Sequence, residues 1–158
     1  MVNAIAVLQG AAAAVFGYVS FHQCGPNDST AIFANLTGVP PGKHGLHVHQ
    51  YGDLTNGCDS LGGHYNPFNH THGGPTDKIR HVGDFGNVEV GEDGTAIFKL
   101  NMENVNLLGP HSIIGRGVVL HSGEDDLGQG DSPDSKTTGN AGTRLACGVI
   151  GFPSETTN

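Results

Sequence analysis

The chain predicts an all-β fold, and three observations carry that expectation. Its 158 residues hold 26 glycines and 8 prolines, no tryptophan, and only 14% charged side chains, a composition of short strands broken by many turns. Alternating or continuous apolar runs recur along its length. Between two of them stands Glu92-Asp93-Gly94, a strong hairpin signal.

In order, the predicted strands are residues 2–8, 15–21, 31–36, 45–49, 82–90, 95–100, 117–121 and 143–152, which makes eight. Residues 45–49, Gly-Leu-His-Val-His, alternate apolar with polar, whereas Gly117-Val118-Val119-Leu120 is continuously apolar. No repeat, low-complexity tract or linker divides them, so residues 1–158 are expected to form a single domain, large enough to bury a core.

Ten histidines are unusually many for this length. Residues i and i+2 of a strand point to the same face, so His47 and His49 project together while Leu46 and Val48 face a core. Alone, such a pair also suits a half-exposed strand with two surface histidines. The company changes the reading: His64, His72, His81 and Asp84 follow in a stretch rich in turn residues, Asn66-Pro67 and Gly73-Gly74-Pro75 among them. A long ordered loop needs an organiser. Three imidazoles and one carboxylate make the closed tetrahedral shell of structural zinc, the alternative being a flexible loop with incidental histidines. His121 ends an apolar run and by itself suits a buried hydrogen-bonding residue. Joined with His47, His49 and a shared His64, it completes an all-imidazole shell that suits Cu(II) and leaves a position open. Two flanking cations allow one imidazole to lose both ring protons.

The stretch 45–53, Gly-Leu-His-Val-His-Gln-Tyr-Gly-Asp, and the stretch 139–148, Gly-Asn-Ala-Gly-Thr-Arg-Leu-Ala-Cys-Gly, resemble the two signature segments of the copper/zinc superoxide dismutases. His64-Tyr65-Asn66-Pro67, His72-Gly73-Gly74-Pro75 and Arg80-His81-Val82-Gly83-Asp84 resemble the same family in order and spacing. The resemblance implies an eight-stranded Greek-key β-barrel of the Ig-like sandwich kind, with long loops over residues 52–83 and 122–142. It also implies copper on His47, His49, His64 and His121, zinc on His64, His72, His81 and Asp84, and His64 bridging the two. The implied reaction is dismutation of superoxide to dioxygen and hydrogen peroxide. In it copper cycles between two oxidation states, zinc holds the loop, His64 carries a proton, and Arg144 guides the anion. Asp125 matches the family's carboxylate that links a copper histidine to a zinc histidine.

Cysteine chemistry alone leaves Cys58 and Cys147 open as free buried thiols or a bonded pair. The resemblance implies a disulfide; closing a loop of roughly 90 residues stabilises by about 4 to 5 kcal/mol in the chain-entropy model. Cys24, in Gln23-Cys24-Gly25-Pro26, is left as a passive thiol in a turn. His44 and His111 sit beside turns and read as structural; His22 and His70 receive no role.

The formal charge of −8 argues against nucleic acid and acidic membranes as partners. It also opposes an anionic substrate unless positive charge is focused locally, an effect for which superoxide dismutase is itself a standard example. Arg144 is the candidate focus. The family commonly has a lysine two residues before the glycine of its second signature; here Thr137 stands there, and Lys136 lies one position earlier. Of the acidic pair expected upstream only Pro133-Asp134 remains.

Residues 4–19 are apolar, but no Lys or Arg precedes Lys43, so a positive leader region is missing and the same residues are needed for the first strands. Sequons at Asn27, Asn35 and Asn69 matter only in a secreted protein. A cytoplasmic location is expected, and no segment is long enough to span a membrane. The resemblance further implies a homodimer through a patch near Gly52, Ile114 and residues 149–152, and a copper-delivery protein as partner. Two other functions compete: a non-catalytic metal-binding or copper-delivery module, which predicts missing copper ligands or an added domain, and a dinuclear zinc hydrolase, which predicts carboxylate-rich ligands.

Overall fold

A computed structural model describes residues 1–10 and 14–155 of the chain; residues 11–13, within the apolar run noted above, and 156–158 lie outside the described residues. Its strands are β1 (Val2–Gly10), β2 (Phe16–Gln23), β3 (Thr30–Thr37), β4 (Gly42–His49), β5 (Thr55–Cys58), β6 (Asp84–Val90), β7 (Ala96–Met102), β8 (Gly117–His121) and β9 (Arg144–Val149). All but β5 join one antiparallel sheet in the order β6-β4-β8-β9-β1-β2-β3-β7.

The two outermost strands of that order, β6 and β7, are consecutive in the chain, so the sheet curls into a nearly closed barrel. The turn between them forms as Glu92-Asp93-Gly94 predicts, with Gly94 N–H donating to Gly91 O (2.9 Å) and Gly91 N–H to Thr95 O (3.2 Å). No ladder continues from it: β6 and β7 each pair on their other side, and the hairpin expectation holds for the turn alone. The connections from β3 to β4 and from β7 to β8 skip neighbours, as Greek-key topology requires.

The core follows from period-two alternation. Ala4, Ala6 and Leu8 of β1, Val19 and Phe21 of β2, and Ile32, Ala34 and Leu36 of β3 all point inward and are buried. β4 and β8 break this rule because both of their faces are covered. Leu46, Val48, Val118 and Leu120 enter the main core, while Val119 packs outside the barrel with Leu61, Cys147 and Cys58 in a small second cluster. That second cluster shows how the long loop is held down.

Residues 64–83 hold no helix or strand, as their turn residues predict, but the first part of the loop from Gly52 to Gly83 is more regular than the eight predicted strands allow. It contains β5 and a 3₁₀ turn, Asp59–Leu61. Thr55-Asn56-Gly57-Cys58 has no apolar alternation to reveal a strand; the segment is ordered instead by the Ser60 hydroxyl, which donates to Asp53 O and accepts from Asn56 N–H. The second long loop likewise holds a 3₁₀ turn, Pro133–Lys136, opened by proline at its first position.

Candidate metal centre

Strand geometry makes the centre. On β4, Leu46 and Val48 face the core while His47 and His49 project to the opposite face and are buried there. β8 lies beside β4, and its last residue, His121, comes to the same place. Register shifts occur on both strands at these residues, between Gly45 and His47 and between Leu120 and His121. Such bulges re-aim side chains. The loop returns His64 into a bridge opposite His49, with Tyr65 N–H donating to Val48 O (2.8 Å), and the chain then brings His72, His81 and Asp84 back to the start of β6.

Four of the rings have their outer nitrogen tied to an acceptor. His49 Nδ1 donates to Gly62 O (2.8 Å) and His121 Nδ1 to Gly142 O (3.1 Å). His47 Nε2 and His72 Nε2 donate to the two oxygens of the Asp125 carboxylate, both at 2.7 Å. A neutral imidazole has one donor and one acceptor nitrogen, so these bonds fix the tautomers of the neutral rings and turn a lone pair inward at His47 Nδ1, His49 Nε2 and His121 Nε2. The inward nitrogens have no protein partner to satisfy them. His47 Nδ1 is buried without a hydrogen bond, and His49 Nε2 and His121 Nε2 stand 3.3 Å apart with no proton between them. Converging lone pairs of this kind call for a cation.

Two groups of donors emerge. In one, His47, His49, His64 and His121 each place a ring nitrogen within 4.8 Å of the others. In the other, three Nδ1 atoms surround one oxygen: Asp84 Oδ1 lies 3.0 Å from His64, 3.0 Å from His72 and 3.2 Å from His81, and His64 Nδ1 is 3.2 Å from His81 Nδ1. Four donors about 2.0–2.1 Å from a tetrahedral ion are about 3.3 Å apart, so these edges fit zinc. His47 also falls within 4.8 Å of His64, His72 and Asp84. His81 fits that set better, because its Nδ1 is within 3.2 Å of both Asp84 and His64. His64 belongs to both groups.

Electrostatics separates the groups. Burial, then the neighbouring His64, pushes His47 down to about 3, and burial with repulsion from His64 likewise puts His49 well below the usual imidazole range. Burial, against a hydrogen bond to Gly142, lowers His121 to about 4. Burial also lowers His64, against the pull of Asp84. These rings are neutral donors. On the other side, burial works against charge at His72, but Asp125 and Asp84 overcome it and raise the ring to about 9. Burial opposes ionisation of Asp84 and Asp125 too. Hydrogen bonds from His64, His72 and His81 nonetheless hold Asp84 far below the carboxylate range, and those from His47 and His72 bring Asp125 to about 2. The point between Asp84 and His72 therefore favours positive charge, which a dication supplies.

A cleft of about 500 Å³ opens onto the all-imidazole group, with His49, His64, His121 and Arg144 in its walls. Arg144 is fixed there by the loop: its Nη1 donates to Cys58 O (2.7 Å) and its Nη2 to Gly62 O (2.6 Å). Cys58 and Cys147 form a disulfide, with Cα atoms 5.9 Å apart, tying that loop to β9. Asp134, Thr137 and Thr138 also line the cleft, but Lys136 does not; its carbonyl accepts from His72 N–H (2.8 Å).

The predicted residues thus meet, and the outlying histidines stay out. His44 is buried with its ring nitrogens 2.8 Å from His121 O and Pro40 O, His111 packs edge-on against Phe68, and His70 is held by Asn66 and Arg80 O. Sequence reasoning missed the carbonyls of Gly62 and Gly142, which only the fold brings near. It also missed Asn87, whose side chain accepts from Asp125 N–H (2.7 Å) and donates to Asp125 O (2.9 Å). Gly139, at φ +69°, was not singled out for its own role either: a Cβ there would collide with Asp125 Oδ1 and His72 Nε2. Its positive φ is the one signal a glycine can give.

The sequence is also similar to known proteins. Residues 15–150 match the family model described as copper/zinc superoxide dismutase (SODC). The chain is 52% identical over 151 residues to "Superoxide dismutase [Cu-Zn]" of Onchocerca volvulus, covering 94% of each chain. It is 51% identical over 153 residues to the protein of that name from Saccharomyces cerevisiae, covering 96% of this chain and 99% of the relative. It is also 52% identical to "Extracellular superoxide dismutase [Cu-Zn]" of Onchocerca volvulus, over 95% of this chain and 76% of that one. With the signature segments, the barrel and the paired donor groups all in place, the chain belongs to the copper/zinc superoxide dismutase family.

Proposed function

We propose that this chain dismutates superoxide with copper held by His47, His49, His64 and His121, zinc held by His64, His72, His81 and Asp84, and Arg144 guiding the anion. One observation carries the reading: His64 takes part in both donor groups, one all imidazole and open to the cleft, the other closed around a carboxylate. Six imidazoles with a single carboxylate suit copper redox chemistry and not a hydrolytic dinuclear zinc site. The copper ligands are complete, which the non-catalytic module would lack.

When bound, copper supplies one-electron transfer in both directions and zinc supplies a fixed charge. The chain's own residues do the rest. Arg144 uses one donor each from Nη1 and Nη2 on carbonyls, so further N–H groups remain for an anion in the cleft. His64 Nδ1 stays against Asp84, leaving Nε2 as the atom that takes up a proton and passes it to the reduced oxygen species. Asp125 orients one histidine of each group through its two oxygens. The test is a superoxide assay on protein reconstituted with both metals, beside an ester-hydrolysis assay on the all-zinc protein. Superoxide turnover without hydrolysis supports the reading, and hydrolysis without superoxide turnover overturns it.

The same proposal takes residues 1–158 as one domain working in the cytoplasm. No helix among the described residues is long and apolar enough to cross a membrane. Relatives named extracellular make fractionation of native tissue the deciding measurement. A homodimer through Gly52, Ile114 and residues 149–152 is supported by Phe152, which is 75% exposed, and light scattering tests it. Copper delivery by a partner protein belongs to this reading as well.

A further inference from the structure

Away from the metal centre, three side chains on β1 and at the end of β2 form a connected row. Cys24 follows the last residue of β2 and is exposed, the one free cysteine beside the bonded pair. Its Sγ lies 3.5 Å from His22 Nε2, and His22 Nδ1 lies 2.6 Å from Oδ1 of Asn3, the residue directly opposite on β1. An amide oxygen can only accept, so the proton sits on Nδ1 and the Nε2 lone pair faces the thiol. A nucleophile, a base and a group that orients the base make the arrangement that activates a thiol. The sequence reading of Cys24 as a passive thiol does not account for it.

We propose that Cys24 is a histidine-assisted peroxide-sensitive thiol, converted by hydrogen peroxide to a sulfenic acid and then by a small carboxylate-bearing thiol to a mixed disulfide. In the first step Sγ attacks one peroxide oxygen and the O–O bond breaks. The thiol proton passes to Nε2 and on to the departing hydroxide, so the products are Cys24 sulfenic acid and water. In the second step the incoming thiol attacks that sulfur and a second water leaves. Sulfur is oxidised and peroxide is reduced. Peroxide is a product of the activity proposed above, and the test supplies it directly, so failure here leaves that reading untouched.

Cys24 is exposed, so a mixed disulfide has room to form there. Beside His22 the outer face of β2, β3 and β7 carries a groove of about 400 Å³ lined by Ser20, Phe33, Lys99 and Asn101. Lys99 offers a cation to a carboxylate and Phe33 an apolar wall.

The experiment uses the metal-loaded full chain. Protein is exposed to hydrogen peroxide with a sulfenic-acid trap, or with glutathione, and Cys24 adducts are timed by intact mass and peptide mapping. The parent should give one adduct, at Cys24. His22→Gln should slow it about a hundredfold, the low end of what a positioned base contributes, and Asn3→Ala should slow it less. Superoxide turnover, which uses neither residue, reports that the variants are folded. No adduct at Cys24 in the parent, or equal rates in parent and His22→Gln, overturns the proposal.

Discussion

The two donor groups meet at His64 yet are built by different means. The all-imidazole group stands mainly on the barrel, with His47 and His49 on β4 and His121 on β8. Its shape comes from strand pleat and two bulges, and its rings are kept neutral by burial. The carboxylate group takes His64, His72 and His81 from the loop and Asp84 from the first residue of β6, and hydrogen bonds to one buried anion hold it together. A rigid frame with one face on a cleft leaves room for substrate. A loop wrapped around a carboxylate has no such opening, and its work is to hold its neighbour in place.

Substitutions in the two groups should have different consequences. His121→Ala removes a barrel donor and should abolish superoxide turnover, whereas Asp84→Ala should lower thermal stability most of all, since the loop loses its organiser. Melting curves and a superoxide assay on both variants check the contrast. Asp125→Ala strikes both groups at once because the carboxylate bonds His47 and His72. Loss of such an outer partner typically weakens metal affinity about 10–100-fold, and competition with a chelator should show the weakening for both metals.

Cys58→Ser with Cys147→Ser should cost about 2–5 kcal/mol of stability, read by denaturant unfolding. It should also reduce turnover, since Arg144 is held by Cys58 O and Gly62 O on the loop that the disulfide pins. Arg144→Gln should slow turnover and flatten its dependence on ionic strength, with Arg144→Lys less affected because the charge remains. Lys136→Gln should change little, because Lys136 is not in the cleft wall.

Acid sharpens the comparison in the metal-free chain. His47 and His121 titrate at about 3 and about 4 when folded but near 6.5 when unfolded, so the unfolded state binds more protons as pH falls below about 6.5. Stability therefore falls from that pH downward. Asp84 and Asp125, both depressed, add a further loss below about pH 4 as the unfolded carboxylates protonate. His72, raised to about 9, has the opposite sign: its contribution is complete below about 6.5 and is lost as pH rises through 9. Metal-free protein should be most stable near pH 6.5, where the losses on either side begin, as thermal unfolding across pH would show.

Much of this was legible in the chain because periodicity and ligand chemistry are local. His47-Val48-His49 announces a shared face, and the strand runs appear within a few residues of their predicted ends. β5 was not legible, since its order comes from Ser60 and not from apolar alternation. Gly62 and Gly142 could not be found either: a backbone carbonyl carries no residue signature, and only the fold reveals whose ring nitrogen it faces. Asn87 was hidden for the same reason, being 38 residues from Asp125 in sequence.

If the two donor sets that share His64 are separate metal sites, each must survive the loss of the other. Metal content per chain decides it, measured for the parent, His121→Ala and Asp84→Ala after dialysis against equal copper and zinc. The parent should hold one of each metal, His121→Ala should keep zinc and lose copper, and Asp84→Ala should keep copper and lose zinc. Loss of both metals from both variants alike would show a single undivided cluster and contradict the account.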